Sequence, residues 1–434
     1  MPVERWAVVG GGMLGTTLAL RLAEAGREVT LYEAAPELGG LASAWSIGDV
    51  VWDRHYHVTL LSDRHLRGLL TELGLEKELR WVVTRTGCYS GGRLHSVSNT
   101  VEFLRFPPLR LVDRLRLGWT VFYASRLRRW ERLEEIPVEE WLSRHSGRRA
   151  FDEFWRPLLR SKLGDDYRRS SAAFIWAVIQ RLYAARRSGL KREQFGYVPG
   201  GYARVLQRLA ERLEAAGVRL QLGAPVEAVG SDGGPYVTSG GNVEHYDRVA
   251  VTAAAPVAAK LVAGLTAGER QLLEQIPYLG IVCASLLLDR PLSPFYVTNI
   301  TDPGFPFTGV IEMTALVDPG QFGNRHLVYL PAYLPQGHPL FAASDDEVRE
   351  SFLEGLSRMH PDLRPEQVRA FRVSRVALVL PVPTLDYSKR LPAQDTSLPG
   401  IRIINSAHIM NGTLNVNETV RLAEGAAERL LAVG

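Results

Sequence analysis

The sequence predicts an α/β protein in which a parallel-sheet domain is interleaved with a second, α+β domain, and three observations carry that prediction. Residues 6–33 run strand, glycine turn, helix, strand. The same alternation returns after Gly200-Gly201 and again from Ile401. The blocks between are helical (107–180) or strand-rich (280–380). At 434 residues and 46% hydrophobic composition the chain outgrows one ordinary core and suits two domains.

In order along the chain, Trp6 to Val9 is an apolar strand, Leu14, Leu18 and Leu22 give a helix its buried stripe, Gly26 stops it, and Val29 to Tyr32 is the second strand. Residues 62–79 predict a helix opened by Ser62 and Asp63, and 86–97 a hairpin turning at Gly91-Gly92. From Pro107 to Gln180 helical spacing dominates, interrupted at Pro137 and Pro157, so this stretch is a helical insertion. A helix over 202–216 and strands near 218–222, 236–238 and 248–252 resume the first domain. Runs at 281–289, 309–314, 325–333 and 373–380 form the mixed sheet of the second. A strand at 401–404 and a helix at 417–432 close the chain. The division is therefore 1–75, 196–279 and 395–434 for the parallel-sheet domain, 76–195 for the insertion, and 280–394 for the substrate-domain sheet.

Composition narrows the function. A net charge of +4 is too small for a nucleic-acid binder, which needs a clustered basic face. Only five of the 51 basic residues are lysines, and arginine suits phosphate and carboxylate recognition. Two isolated cysteines, Cys88 and Cys283, build neither a disulfide framework nor a metal site and point to a reducing cytoplasm. No signal peptide and no apolar run of spanning length is read, which leaves peripheral attachment to the inner membrane face as the one membrane reading.

Gly10, Gly12 and Gly15 stand at G-x-G-x-x-G spacing between strand and helix. The first permits the turn, the second lets a pyrophosphate approach, and the third lets the helix pack on the strand. The amides of Met13 and Leu14 then face the anion. Glu33 closes the second strand, where a carboxylate takes the hydroxyls of an adenosine ribose, with Ala34 beside it. This is the dinucleotide-binding, Rossmann-type unit. A second glycine turn follows: Leu38-Gly39-Gly40-Leu41-Ala42-Ser43.

Here the chain resembles the flavin amine oxidase superfamily, which includes protoporphyrinogen oxidases, phytoene-type desaturases and, more distantly, UDP-galactopyranose mutases. The resemblance extends to Val198-Pro199-Gly200-Gly201, to Pro225-Val226, to Thr252 through Pro256 and to the C-terminal strand and helix. It implies non-covalent FAD, with Gly39, Gly40, Leu41 and Ala42 along the pyrophosphate, Val226 behind the adenine and Thr252 among the cofactor-binding residues. It also implies Asn405 by the ribityl chain and Glu418, Thr419 and Val420 at a helix start facing the flavin. The family usually ends its last strand with Gly-Asp where this chain has Asn405-Ser406. No second glycine fingerprint implies an NADPH domain, so the electron acceptor is oxygen, a quinone or another carrier.

Asp53-Arg54-His55-Tyr56-His57 falls where the family passes a segment by the flavin, placing Tyr56 against the cofactor and His55 and His57 as candidate acid–base groups. Two histidines alone do not make a metal site. Tyr329, Tyr333 and Glu312 lie on predicted strands of the second sheet, with Tyr333 a further catalytic candidate. The amine-oxidising branch uses a lysine on that sheet, and none of the five lysines lies there. Residues 105–130 interleave arginines with leucines and tryptophans, a pattern shared by a membrane-surface helix and by a packed helix with solvated arginines. The leading expectation is an FAD-dependent oxidoreductase transferring hydride between flavin N5 and a bulky, apolar small molecule. A non-redox mutase acting on a nucleotide sugar and a non-catalytic FAD-containing lipid carrier are the alternatives. Oligomeric state is not legible.

Overall fold

The computed structural model describes residues 3–98, 102, 109–184, 194–410 and 414–432. The opening strand, Arg5–Val9, lies in a five-stranded, wholly parallel sheet ordered Arg219–Gln221, Glu28–Tyr32, Arg5–Val9, Arg248–Val251, Ile401–Ile403. Both faces are covered, which is why these strands read as continuous apolar runs. Trp6 and Val8 enter the core beneath the helices Met13–Glu24, Arg64–Glu72, Gly201–Ala215 and Val416–Ala432. Ala7 and Val9 enter the core on the opposite side, with Val249, Val251, Ile401 and Ile403. Five strands drawn from three distant parts of the chain confirm the interleaving, and their C-terminal ends share one edge, where open α/β sheets bind ligands.

The second sheet is mixed and seven-stranded: Val368–Pro381, Tyr278–Leu288, His326–Pro335, Gly309–Glu312, Val297–Ile300, Thr86–Ser90, Arg93–Ser96. The hairpin read at 86–97 thus joins this sheet. Tyr278–Leu288 is buried along its whole length. Val282, Ala284, Leu286 and Leu288 meet the helix Asp345–Met359, whereas Ile281, Cys283 and Leu287 face Ile47, Trp52 and Tyr329. A smaller sheet of Thr59–Leu60, Gln194–Tyr197 and Arg80–Val83 bridges the two.

Four expectations are corrected. The helix read over 62–79 stops at Glu72, because Gly74 takes a positive φ of 73° and only a short turn follows. Pro157 does not break its helix. Residues 148–163 stay helical, and the turn before the proline widens to π geometry over Phe151–Trp155, which accommodates a missing N–H. The helix Asp345–Met359 was not read at all, although Ser344 and Glu347 form a complete capping box at its start. His55, Tyr56 and His57, whose His-x-His spacing reads as a strand, lie beyond the end of the strand Val50–Asp53.

Candidate functional site

The glycine turn is built as its spacing requires. Gly10 has φ 115°, and a Cβ there would stand 2.6 Å from Thr252 Oγ1. A Cβ on Gly15 would fall 1.9 Å from the Gly10 carbonyl oxygen, so only glycine lets the helix sit this close to its strand. Gly12 differs. With φ −72° it suits any residue, and a Cβ there meets no atom of the chain within 4 Å. The helix Met13–Glu24 begins without a side-chain cap or an acidic first turn, so the first amides, those of Met13 and Leu14 among them, keep their donors for an anion.

The second turn packs on the first. Gly39 donates to the Gly11 carbonyl (2.8 Å), a Cβ on Gly40 would lie 3.3 Å from Gly12 Cα, and the short turn Gly40–Ala42 carries Leu41 and Ala42 alongside. Glu33 accepts the Gly11 N–H (2.6 Å) with one carboxylate oxygen and the Ala35 N–H (2.8 Å) with the other, leaving further lone pairs on each and Ala34 exposed beside it. The amide of Ala224 donates to the Glu33 carbonyl, which brings half-buried Val226 to this end. Thr252 donates its hydroxyl toward the carbonyls of Val9 and Gly10.

Asn405 is fully buried at the end of the last strand. Its Oδ1 accepts the Ala407 N–H (3.1 Å), while its Nδ2 is a buried donor with no hydrogen-bond partner among the described residues. A buried unpaired amide costs about 1–3 kcal/mol, so this donor is poised for a ligand acceptor. The closing helix is less open than expected. Val420 is wholly buried in the core, Glu418 accepts from Asn417 Nδ2 and pairs with Arg421, and Thr419 caps onto the Asn415 carbonyl. Asn417 Oδ1 instead accepts the His65 and Leu66 amides at the start of Arg64–Glu72. Three of the residues read as facing a flavin are thus tied up by the protein, their side chains at least.

Residues 53–57 run between the glycine turns and the mixed sheet. His55 is a strut: Nδ1 meets the Leu41 carbonyl (3.2 Å) and Nε2 the Ser374 hydroxyl (3.1 Å). Burial pushes it down to about 4, so it is neutral and fully bonded at neutral pH. His57 packs its ring at a tilt against Tyr202, with Nδ1 3.8 Å from Asp53 Oδ2. Burial pushes His57 down to about 3 and Asp53 up to about 7. Asp53 Oδ1 accepts the Tyr202 N–H (2.6 Å), and its carbonyl accepts the Tyr329 hydroxyl (2.5 Å). Tyr329 therefore locks this segment to the sheet and is not a free pocket wall. Glu312 is bound up elsewhere, accepting the Leu292 N–H and the Thr314 hydroxyl, with burial raising it to about 7.

Tyr56 and Tyr333 do come together, their hydroxyls 3.1 Å apart. A third group joins them that was not foreseen. Lys162, from the helical insertion, donates to the Tyr56 hydroxyl (3.3 Å), and its Nζ stands 5.8 Å from the Tyr56 ring centroid and 5.1 Å from that of Tyr333. This cation comes not from the sheet, where the amine-oxidising branch carries its lysine, but from a helix 106 residues after Tyr56.

Comparison with known proteins places this geometry in a family. The sequence pattern of the family described as "Flavin containing amine oxidoreductase" matches residues 15–431. The chain belongs to this family. Its fold is close to that of a putative protoporphyrinogen oxidase from Exiguobacterium sp. 255-15, with TM-score 0.79 at 19% identity over all of both chains. A reduced UDP-galactopyranose mutase gives TM-score 0.78 at 17% identity over all of this chain and 96% of the other. In sequence the chain is 26% identical over 207 residues to the zeta-carotene desaturase of Synechocystis sp., a match spanning 42% of each protein. The matched segments of the first curated relatives span about half or less of their lengths. FAD is the cofactor of the fold, and the open side of Gly12, the uncapped helix start and the unpaired Asn405 Nδ2 all fit it.

Proposed function

We propose that the chain is an FAD-dependent oxidoreductase acting on a bulky, lipophilic small molecule. The reading is supported chiefly by the juxtaposition at residues 53–57: one side holds the glycine turns through Leu41, and the other meets the sheet face of Tyr333, Ile281 and Val376. Gly10, Gly12, Met13, Leu14, Gly15 and Gly39 through Ala42 would hold the pyrophosphate, Glu33 the adenosine ribose, Val226 the adenine and Asn405 the ribityl chain. Bound FAD supplies a two-electron acceptor. The protein's task is then to hold the reacting bond in place, keep water out and leave the neighbouring groups uncharged. The neutral state of His55 and His57 suits that electrostatic role better than acid catalysis at neutral pH.

The test is an absorbance spectrum of the purified protein, heat release of its cofactor, and anaerobic mixing with a porphyrinogen or a phytoene-type polyene. Release of free FAD and bleaching by one substrate supports the reading. A protein that takes up no FAD sinks it, and a loaded protein bleached by neither limits it to binding.

Attachment to a bilayer surface belongs to the same proposal. Arg105 and residues 106–108 lie outside the described residues, but the helix Leu111–Arg126 is described. No helix among the described residues is long and apolar enough to cross a membrane. This helix buries Leu117, Thr120 and Ala124. It leaves Leu111, Val112, Leu115, Trp119 and Phe122 exposed by 43–61% on an arc of about 100°. Arg126 stands over the Phe122 ring at the helix end. Such a stripe with flanking arginines lies on an anionic membrane. Co-sedimentation with vesicles containing phosphatidylglycerol should fall several-fold for Trp119→Ser combined with Leu115→Ser, and equal partitioning of variant and wild type would refute the attachment.

A further inference from the structure

The cluster of Lys162, Tyr56 and Tyr333 has more hydrogens than acceptors. An ammonium offers three donors and two phenols one each, and the hydrogen bonds from Lys162 to Tyr56 and between the phenols use two of these. Whichever phenol donates to the other, two ammonium hydrogens and one phenolic hydrogen remain. Burial holds both phenols well above their usual range, so neither ionises to become the missing acceptor. Among the described residues no carboxylate pairs with Lys162, in a chain whose surface cations are otherwise widely paired, as Arg160 is with Asp165 on the same helix. The ammonium is held instead on two aromatic faces. Tyr333 stands opposite Ile281 on the sheet face toward the glycine turns, so this donor-only cluster opens on the wall proposed for the substrate.

We propose that Lys162, with the free phenolic hydrogen of the Tyr56–Tyr333 pair, binds a carboxylate carried by the otherwise apolar substrate. The inference rests on the function proposed above and narrows it from lipophilic molecules in general to lipophilic acids. One ammonium matches one carboxylate, and a second acid group set apart on the same molecule stays in solvent. A sugar diphosphate would call for more than one cation, and a hydrocarbon polyene would leave three donors dry and unpaired.

Fluorescence-quenching titrations of the FAD-loaded protein with protoporphyrin IX and with its dimethyl ester test this without turnover. Wild type should bind the acid about tenfold more tightly than the ester. Lys162→Met should erase that preference and Lys162→Arg retain most of it, with FAD content and melting temperature unchanged in both. Lys162 has no carboxylate partner to orphan, so the variants should fold. Equal binding of acid and ester by wild type, or a preference that survives Lys162→Met, overturns the carboxylate assignment while leaving a bulky substrate in place. Binding of neither porphyrin by the loaded protein overturns the assignment and the porphyrin-like substrate together.

Discussion

The walls proposed for cofactor and substrate are made by different means. The cofactor wall is backbone: Gly10, Gly12, Gly15, Gly39 and Gly40 bring main chain close enough to cradle an anion, and the residues that hold it are neighbours in sequence or one strand away. The substrate wall is side chain, with His55, Tyr56, Lys162, Tyr333 and Ser374 converging from four separate parts of the chain. A backbone wall is specified by a few residues whose alternatives clash. A side-chain wall is specified by packing of the whole molecule.

Two glycines of the first wall separate packing from binding, and they should give the largest effects. Gly15→Ala puts a Cβ against the Gly10 carbonyl, a contact the helix must move to relieve. It should cost on the order of 3 kcal/mol or more of stability, read as a lower melting temperature, together with loss of FAD. Gly12→Ala has room and an allowed backbone, so the FAD-free protein should melt like wild type while FAD affinity falls at least tenfold. If Gly12→Ala retained FAD, the space beside Gly12 would not be the pyrophosphate's.

On the second wall the sharpest handle is pH. Burial raises Asp53 from the usual carboxylate value, 3.8, to about 7. The folded state therefore binds a proton that the unfolded chain has lost, and the associated stability is complete below about pH 4, declines between pH 4 and 7, and is absent above. Asp53→Asn keeps an oxygen for the Tyr202 amide but cannot ionise. Relative to wild type it should gain up to about 4 kcal/mol between pH 4 and pH 8, measured by denaturant unfolding at each pH. A difference independent of pH would mean that Asp53 is ionised at ordinary cost, paired with a protonated His57.

The same contrast explains what could be read in advance. Gly10 to Glu33 was legible because its constraint is local steric exclusion, which no distant contact alters. The parallel sheet, the mixed sheet and the interleaving followed from hydrophobic period and order. Lys162 was not legible: its helix carries Pro157, which reads as a break, and only the widened turn at Phe151–Trp155 lets the helix continue to present it. The helix at Asp345–Met359 carried a readable capping box at Ser344 and Glu347, hidden among proline-rich strands. Val420 was legible only in its position. A resemblance transfers the position of a helix start but not which of its side chains faces the core, and this one is entirely buried.

Asn405 lies between these cases and carries the smallest effect. The resemblance placed it correctly at the end of the last strand while its side chain departs from the usual aspartate, and its Oδ1 is spent on the Ala407 amide. Only the Nδ2 donor remains for a hydroxyl of the ribityl chain. Asn405→Asp keeps the acceptor and removes the donor, but a carboxylate can accept from the same hydroxyl, so FAD affinity should change by less than threefold. Asn405→Leu removes both and should weaken FAD about tenfold, with about 1 kcal/mol of stability lost with the cap. Equilibrium dialysis of FAD with the two variants decides it: equal, large losses would mean that the ribityl chain needs the Nδ2 donor itself, whereas loss in the leucine variant only would show that the cofactor wall tolerates either polarity at this position, which is why the family's usual residue was not needed here.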